Sequence, residues 1–211
     1  MEVAEQTITT NTSNIKVQKR DGRLEPLDID KIHFVVEEAC EGLTGVSSSQ
    51  IEINANIQFY DGITTKDIQH VLVKSANDLI SLENPNYQYA AARLLSYDVR
   101  KEAHGQYEYI PLLKLILRNI KLGVYDRTIV EKYHKSEIKK FNTWIKRDRD
   151  LDFTYAGLRQ VVDKYLVQDR STGELYETPQ DMYMMIAATL FANYPKKNSC
   201  LLYTSDAADE S

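Results

Sequence analysis

Lys19 and Arg20 stand side by side in the run Lys19-Arg20-Asp21-Gly22-Arg23, Thr64-Thr65-Lys66-Asp67 has the composition of a helix start, and Arg100-Lys101 falls where a helix ends. Each is a feature that phosphate chemistry uses. Adjacent cations on a tight turn form a charged clamp. The first turn of a helix offers unbonded backbone N–H groups and the positive end of the helix dipole. Tyr97, Arg100 and Lys101, at i, i+3 and i+4, share one side of a helix. Brought together, these groups would make a pocket for a triphosphate, and Glu25 and Asp28 could hydrogen-bond a ribose or a base edge. Singly, none compels that assignment. A basic turn is ordinarily a solvated loop, a Thr at a helix start ordinarily a cap, and cations at a helix end ordinarily complement the dipole. The sequence has no Walker loop and no GxGxxG, so the glycine-built phosphate cradles are absent.

The elements that must position these residues follow from periodicity. Residues 1–14 are polar and read as a loose arm. Residues 15–18 alternate as a strand does, Asp21-Gly22 is a hairpin turn signal, and the return strand falls at 24–27. From Asp30 the period becomes helical: Ile32, Val35, Val36, Ala39, Cys40 and Leu43 lie on one face, with Asp28 or Asp30 as cap and Gly42 or Gly45 as stop. A second helix is expected over 48–58. A third, with Thr65 as N-cap, carries Ile68, Leu72, Ser75, Ala76 and Leu79 inward. A fourth follows Pro85, buries Tyr87, Ala90, Ala91, Leu94 and Tyr97, and ends near Gly105. Residues 15–105 thus read as a hairpin and four helices. Helical spacing resumes at 112–120, 127–133, 137–145 and 154–165. A second hairpin is expected across 165–176, and 179–193 is apolar around most of its circumference. The fold class is mainly α.

Composition narrows the classes. With 211 residues, 43% hydrophobic and 27% charged, the chain can build a substantial core. A net charge of −5 argues against a general polyanion binder but not against a local phosphate pocket. No apolar run has the length of a membrane-spanning helix, and the opening residues lack the regions of a signal peptide, so a cytoplasmic chain with no membrane or nucleic-acid partner is expected. Cys40 falls on the apolar face of the first helix and reads as core; Cys200 is given no role. His33, His70, His104 and His134 show no metal-ligand spacing, with His33 and His70 expected half-exposed. The alternating charges from Lys146 to Asp150 read as a solvated face or turn.

The strings Val17-Gln18-Lys19-Arg20-Asp21-Gly22 and Leu27-Asp28-Ile29-Asp30-Lys31-Ile32 resemble the opening of an ATP-cone. Ile57-Gln58-Phe59-Tyr60-Asp61-Gly62-Ile63-Thr64-Thr65-Lys66-Asp67-Ile68, Tyr87-Gln88-Tyr89-Ala90-Ala91-Ala92-Arg93-Leu94 and Tyr165-Leu166-Val167-Gln168-Asp169-Arg170 are similar to class Ia ribonucleoside-diphosphate reductase large subunits. The resemblance runs in order from about residue 15 to Pro195. It implies an ATP-cone over 15–107 and, over 108–200, the helical region that precedes the family's catalytic α/β barrel, which is missing here. Residues 201–211 continue no pattern and are expected to be a foreign end, a truncated reading frame or a translated sequencing artefact.

In that family ATP at the cone switches the enzyme on and dATP switches it off. Carried over by position, Lys19 and Arg20 hold phosphates, Thr65 and Lys101 complete the grip, and Glu25, Pro26, Leu27, Asp28, Ile29, Asp30 and Lys31 line the base and ribose. Gln69, Tyr97 and Arg100 complete the candidate set. ATP or dATP, with Mg2+, would be the effectors. The parent enzyme would reduce ribonucleoside diphosphates with a radical-generating small subunit as partner, and its large subunits would self-associate. The redox cysteines and radical-relay tyrosines of the barrel lie downstream in the family, so no catalytic residue and no metal ligand is assigned. Two positions depart from the pattern: Gln69 and Asp98 stand where the family commonly has His. Weaker or altered dATP inhibition is the expected result. The alternatives are a cone-bearing transcriptional regulator, disfavoured because residues 1–14 hold no CxxC pair for a zinc ribbon, and a helical interaction module whose basic turn is only surface.

Overall fold

A computed structural model describes residues 15–19 and 21–194 of the chain. Strand β1 (Lys16–Gln18) and strand β2 (Leu24–Pro26) form the expected hairpin, antiparallel with Val17 opposite Glu25. Gly22 makes the turn possible: its φ of 84° lies in the left-handed region, and its N–H closes the loop on the Lys19 carbonyl at 2.9 Å. Helix α1 (Ile29–Cys40) starts at Asp28, whose side chain accepts from the Lys31 N–H, and α2 (Ser48–Asn56) starts at Ser47.

Strand β3 (Ile63–Thr64) was not expected from the sequence pattern. It pairs in parallel with β1, giving a three-stranded sheet of order β2-β1-β3. Two residues are too few to show an alternation, so only the tertiary pairing reveals them. The pairing also corrects the cap of α3 (Thr65–Asp78). Thr64, still extended as the last strand residue, turns its hydroxyl to the Asp67 N–H at 3.0 Å, and Thr65 is already helical.

Helix α4 (Tyr87–His104) is the axis of the molecule. Twelve of its residues are buried, it packs against α1, α3 and α8 (Tyr155–Lys164), and Gly105 ends it with φ of 71°. The remaining helices are α5 (Leu112–Lys121), α6 (Thr128–Lys132), α7 (Lys135–Trp144) and α9 (Pro179–Phe191), with a 3-10 helix at Arg147–Leu151. The hairpin expected across 165–176 reduces to one antiparallel bridge between Gln168 and Leu175.

Two apolar clusters result. The first joins Val17, Ile63, Leu72 and Leu94 to Leu158, Leu166 and Met182, so the chain returns to the first core after leaving it. The second packs Leu115, Ile116, Tyr133 and Phe141 against Met184 and Ala188. Helix α9 lies between them, Met182 in one cluster and Met184 in the other. Cys40 sits half-buried against the first, where burial pushes its thiol up to about 11 and keeps it protonated at neutral pH. Among the described residues no helix is long and apolar enough to cross a membrane.

Candidate nucleotide site

The hairpin, the amino ends of α1 and α3 and the last turns of α4 enclose a cleft of about 140 Å3. Lys19, Pro26, Leu27, Asp28, Lys31, Thr65, Gln69 and Lys101 line it over a floor of Val17, Ile32, Val35, Ile68 and Leu72. Sites that enclose a whole small molecule run to about 300–1,000 Å3. This cleft is smaller than that and opens onto a polar rim. The floor residues appear in the sequence as core positions, and that hid a second feature: the wall of a helix core here also forms the apolar floor of an open cleft.

Charge is arranged around the rim. Lys19 Nζ lies 3.3 Å from Glu25 Oε2, and Arg23 Nη1 lies 3.4 Å from the other Glu25 oxygen. A phosphate reaching Lys19 therefore competes with Glu25. Lys31 Nζ sits 2.8 Å from Asp28 Oδ2, and its side-chain and backbone hydrogen bonds hold the Asp28 carboxyl below the usual carboxylate range. Asp28 is therefore an ionised acceptor at neutral pH. Thr65 is the first residue of α3, where the backbone N–H groups are unbonded within the helix. Gln69 faces the cleft with its amide already engaged: Nε2 donates to the Leu94 carbonyl at 2.7 Å.

Not every candidate belongs to this cleft. Glu25, Ile29 and Asp30 line a shallower groove beside it, which shares Pro26, Leu27, Asp28 and Lys31 with the cleft. Arg20 lies outside the described residues. Tyr97 and Arg100 are absent from both linings. Successive helix residues project about 100° apart, so Lys101 can reach the cleft while Arg100 turns away, its guanidinium 5.1 Å from the Tyr97 ring centre. Asp98, the other departure from the family pattern, is also outside the cleft lining; it is buried and faces His70 Nε2 at 3.6 Å.

A second polar cluster, missed at the sequence level, is buried where α4 meets α9. His104 Nε2 lies 3.1 Å and Arg147 Nη1 2.6 Å from the two oxygens of Asp181. Burial opposes the charge on Asp181, but the His104 hydrogen bond and the Arg147 charge prevail and hold its carboxyl below the ordinary range. Asp150 is 0% exposed. Burial, and then the neighbouring Asp181 charge, push it up to about 8. The expectation of a solvated face holds for Lys146 and Asp148, which are exposed, and is corrected for Arg147 and Asp150, which turn inward. The alternation of sign looked external because the partner of Arg147 lies on a helix far downstream.

Comparison with known proteins identifies the family. Residues 15–102 match the family described as ATP cone domain, and residues 151–210 match the ribonucleotide reductase all-alpha domain. The chain is 48% identical over 184 residues to ribonucleoside-diphosphate reductase 1 subunit alpha of Escherichia coli K12, an alignment that takes in 87% of this chain and 24% of the relative. It is 42% identical to the Haemophilus influenzae subunit alpha, with the same two coverages. Against the subunit alpha of phage T4 it is 41% identical, over 86% of this chain and 24% of the relative. The chain belongs to the ribonucleoside-diphosphate reductase alpha-subunit family. It spans about a quarter of the length of these reductase subunits. The all-alpha match runs on to residue 210, through positions that the sequence pattern sets apart and that lie outside the described residues. A reductase match on both sides of Gly105 favours the reductase over the regulator and the free-standing module.

Proposed function

We propose that the cleft is an allosteric nucleotide site that takes ATP as activator and dATP as inhibitor. Through it, this part of a class Ia large subunit would regulate the reduction of ribonucleoside diphosphates to deoxyribonucleoside diphosphates in the cytoplasm. One observation carries the reading: Lys19, Thr65 at the start of α3 and Lys101 share the lining of one cleft with an apolar floor, inside the segment that matches an ATP cone. The base would lie on Val17, Ile32, Ile68 and Leu72, and the phosphates would reach Lys19, Lys101 and the first turn of α3. ATP and dATP differ only in the 2′-hydroxyl, so discrimination needs a group that senses it. Asp28, ionised and fixed by Lys31, is the acceptor on the ribose side. Mg2+ would arrive with the triphosphate, since among the described residues no group of three or more His, Cys, Asp or Glu side chains is placed to hold a metal ion. The radical-generating small subunit and further large subunits are the partners this reading implies.

Calorimetric titration of the 211-residue chain with ATP and with dATP tests it. Saturable binding of both at one site, lost in a Lys19→Ala/Lys101→Ala double variant, is expected; no binding of either would refute it. Gln69 supplies a sharper test. Its amide carries no charge and is bonded to Leu94, so dATP inhibition of the full-length enzyme should be weak. Gln69→His should tighten it by the worth of one charge-assisted bond, roughly 1.5–3 kcal/mol. Tight dATP inhibition in the parent protein, unchanged by Gln69→His, would contradict that.

A further inference from the structure

Arg100 is expensive to place. Its Nε and Nη2 are buried and make no hydrogen bond. The guanidinium packs among three tyrosines: its carbon lies 4.1 Å from the ring centre of Tyr107, 5.0 Å from Tyr109 and 5.1 Å from Tyr97, and the Tyr107 and Tyr109 side chains also hydrogen-bond to it. Cation–π contacts of this kind compensate a desolvated guanidinium, and only while the rings keep their places. The stack continues in both directions. Tyr107 donates its hydroxyl to Glu38 Oε2 at 2.5 Å, on α1 about two turns beyond Lys31 of the cleft. On the other side, Arg147 stacks on Tyr109 at 4.6 Å and reaches Asp181 at 2.6 Å, in the first turn of α9.

We propose that this chain of contacts, from Glu38 through Tyr107, Arg100, Tyr109 and Arg147 to Asp181, couples occupancy of the cleft to the amino end of α9. Arg100 acts as a positioning residue that touches no nucleotide. The inference rests on the cleft being a nucleotide site. A ligand drawing on Lys101, one residue beyond Arg100, shifts the stack from α4, and one drawing on Lys31 shifts it along α1, which carries Glu38 toward its other end. The packed groups form the contiguous network such a coupling needs, and a coupling between two sites is reciprocal.

The test is hydrogen exchange of the intact 211-residue chain, read on the peptide that contains the start of α9, with and without saturating ATP. Exchange in wild type should slow by about 5-fold or more, the lower end of ordinary coupling. Arg100→Gln removes the stacked cation, and Tyr107→Phe removes only the hydroxyl that reaches Glu38. Both variants at saturating ATP should lose most of that protection. Three outcomes overturn the inference. If ATP binds by calorimetry and α9 is unaffected in wild type, the coupling is absent while the nucleotide site stands. If Tyr107→Phe, the milder change should Arg100→Gln not fold, keeps the full effect, the stack is not the route. If wild type binds no ATP, the nucleotide site itself fails and the coupling falls with it.

Discussion

The rim of the cleft and the seam between α4 and α9 are both built from charged side chains, but solvent reaches the first far more than the second. At the rim, Lys31 and Asp28 are 74% and 43% exposed, so their pairing is worth little to the fold and can be exchanged for a ligand. In the seam, Asp181 and His104 have side chains that are 0% exposed, and Arg147 is 18% exposed. There no water can replace a missing partner, so the same kind of contact becomes a fixture. Charge is thus left exchangeable where water competes and joins regions where it does not.

Removing Asp181 should give the largest effect. Asp181→Ala strands Arg147, and breaking a buried pair in this way costs about 3–5 kcal/mol, measured by urea denaturation. Lys101→Ala, at the exposed rim, should change stability by under about 1 kcal/mol while weakening ATP roughly 10-fold or more. Equal stability losses for the two variants would erase the distinction between rim and seam.

The seam should also be visible in the pH dependence of stability. Asp150 keeps its proton in the folded state up to about 8, whereas the unfolded side chain loses it near 3.8. Between those values the folded chain binds more protons than the unfolded one, so stability falls as pH rises through the window. Glu177, raised by burial to about 7, contributes in the same direction over the lower part of it. Asp150→Asn resembles the protonated acid and should flatten the slope. It should therefore be more stable than wild type at pH 8 and match it at pH 4. A variant with the wild-type slope would show that Asp150 is not the proton carrier.

The smallest contrast separates two adjacent threonines. Thr64→Ala removes the cap of α3 and should cost about 1 kcal/mol of stability. Thr65→Ala leaves the cap and the backbone N–H groups intact and removes only the hydroxyl in the cleft lining, so its effect should fall on ATP binding and not on stability. Interchanged effects would return the cap to Thr65.

That pair also shows what the sequence could and could not reveal. Thr64-Thr65-Lys66-Asp67 announced a helix start because hydroxyl and carboxyl groups there have one local use. Which threonine caps depends on β3, a two-residue strand fixed only by pairing with β1. The hairpin was legible because Asp21-Gly22 carries its own conformational signal, and α4 because its apolar stripe is long. In the cleft, Lys19, Asp28 and Lys101 stood out by charge and position. Arg100 looked equivalent to Lys101, and one residue step around the helix sends it to the tyrosines instead. The seam was hidden for a related reason: His104, the pair Arg147 and Asp150, and Asp181 come from three stretches far apart in the chain, and each residue alone has the composition of a surface residue.

The most direct test of the nucleotide cleft is an ATP titration of the uniformly 15N-labelled chain followed by NMR. The largest shift changes should fall on the backbone amides of Lys19, Lys31 and residues 65–67, with Lys101 next. Changes concentrated elsewhere, with those amides unmoved at saturation, would contradict the account.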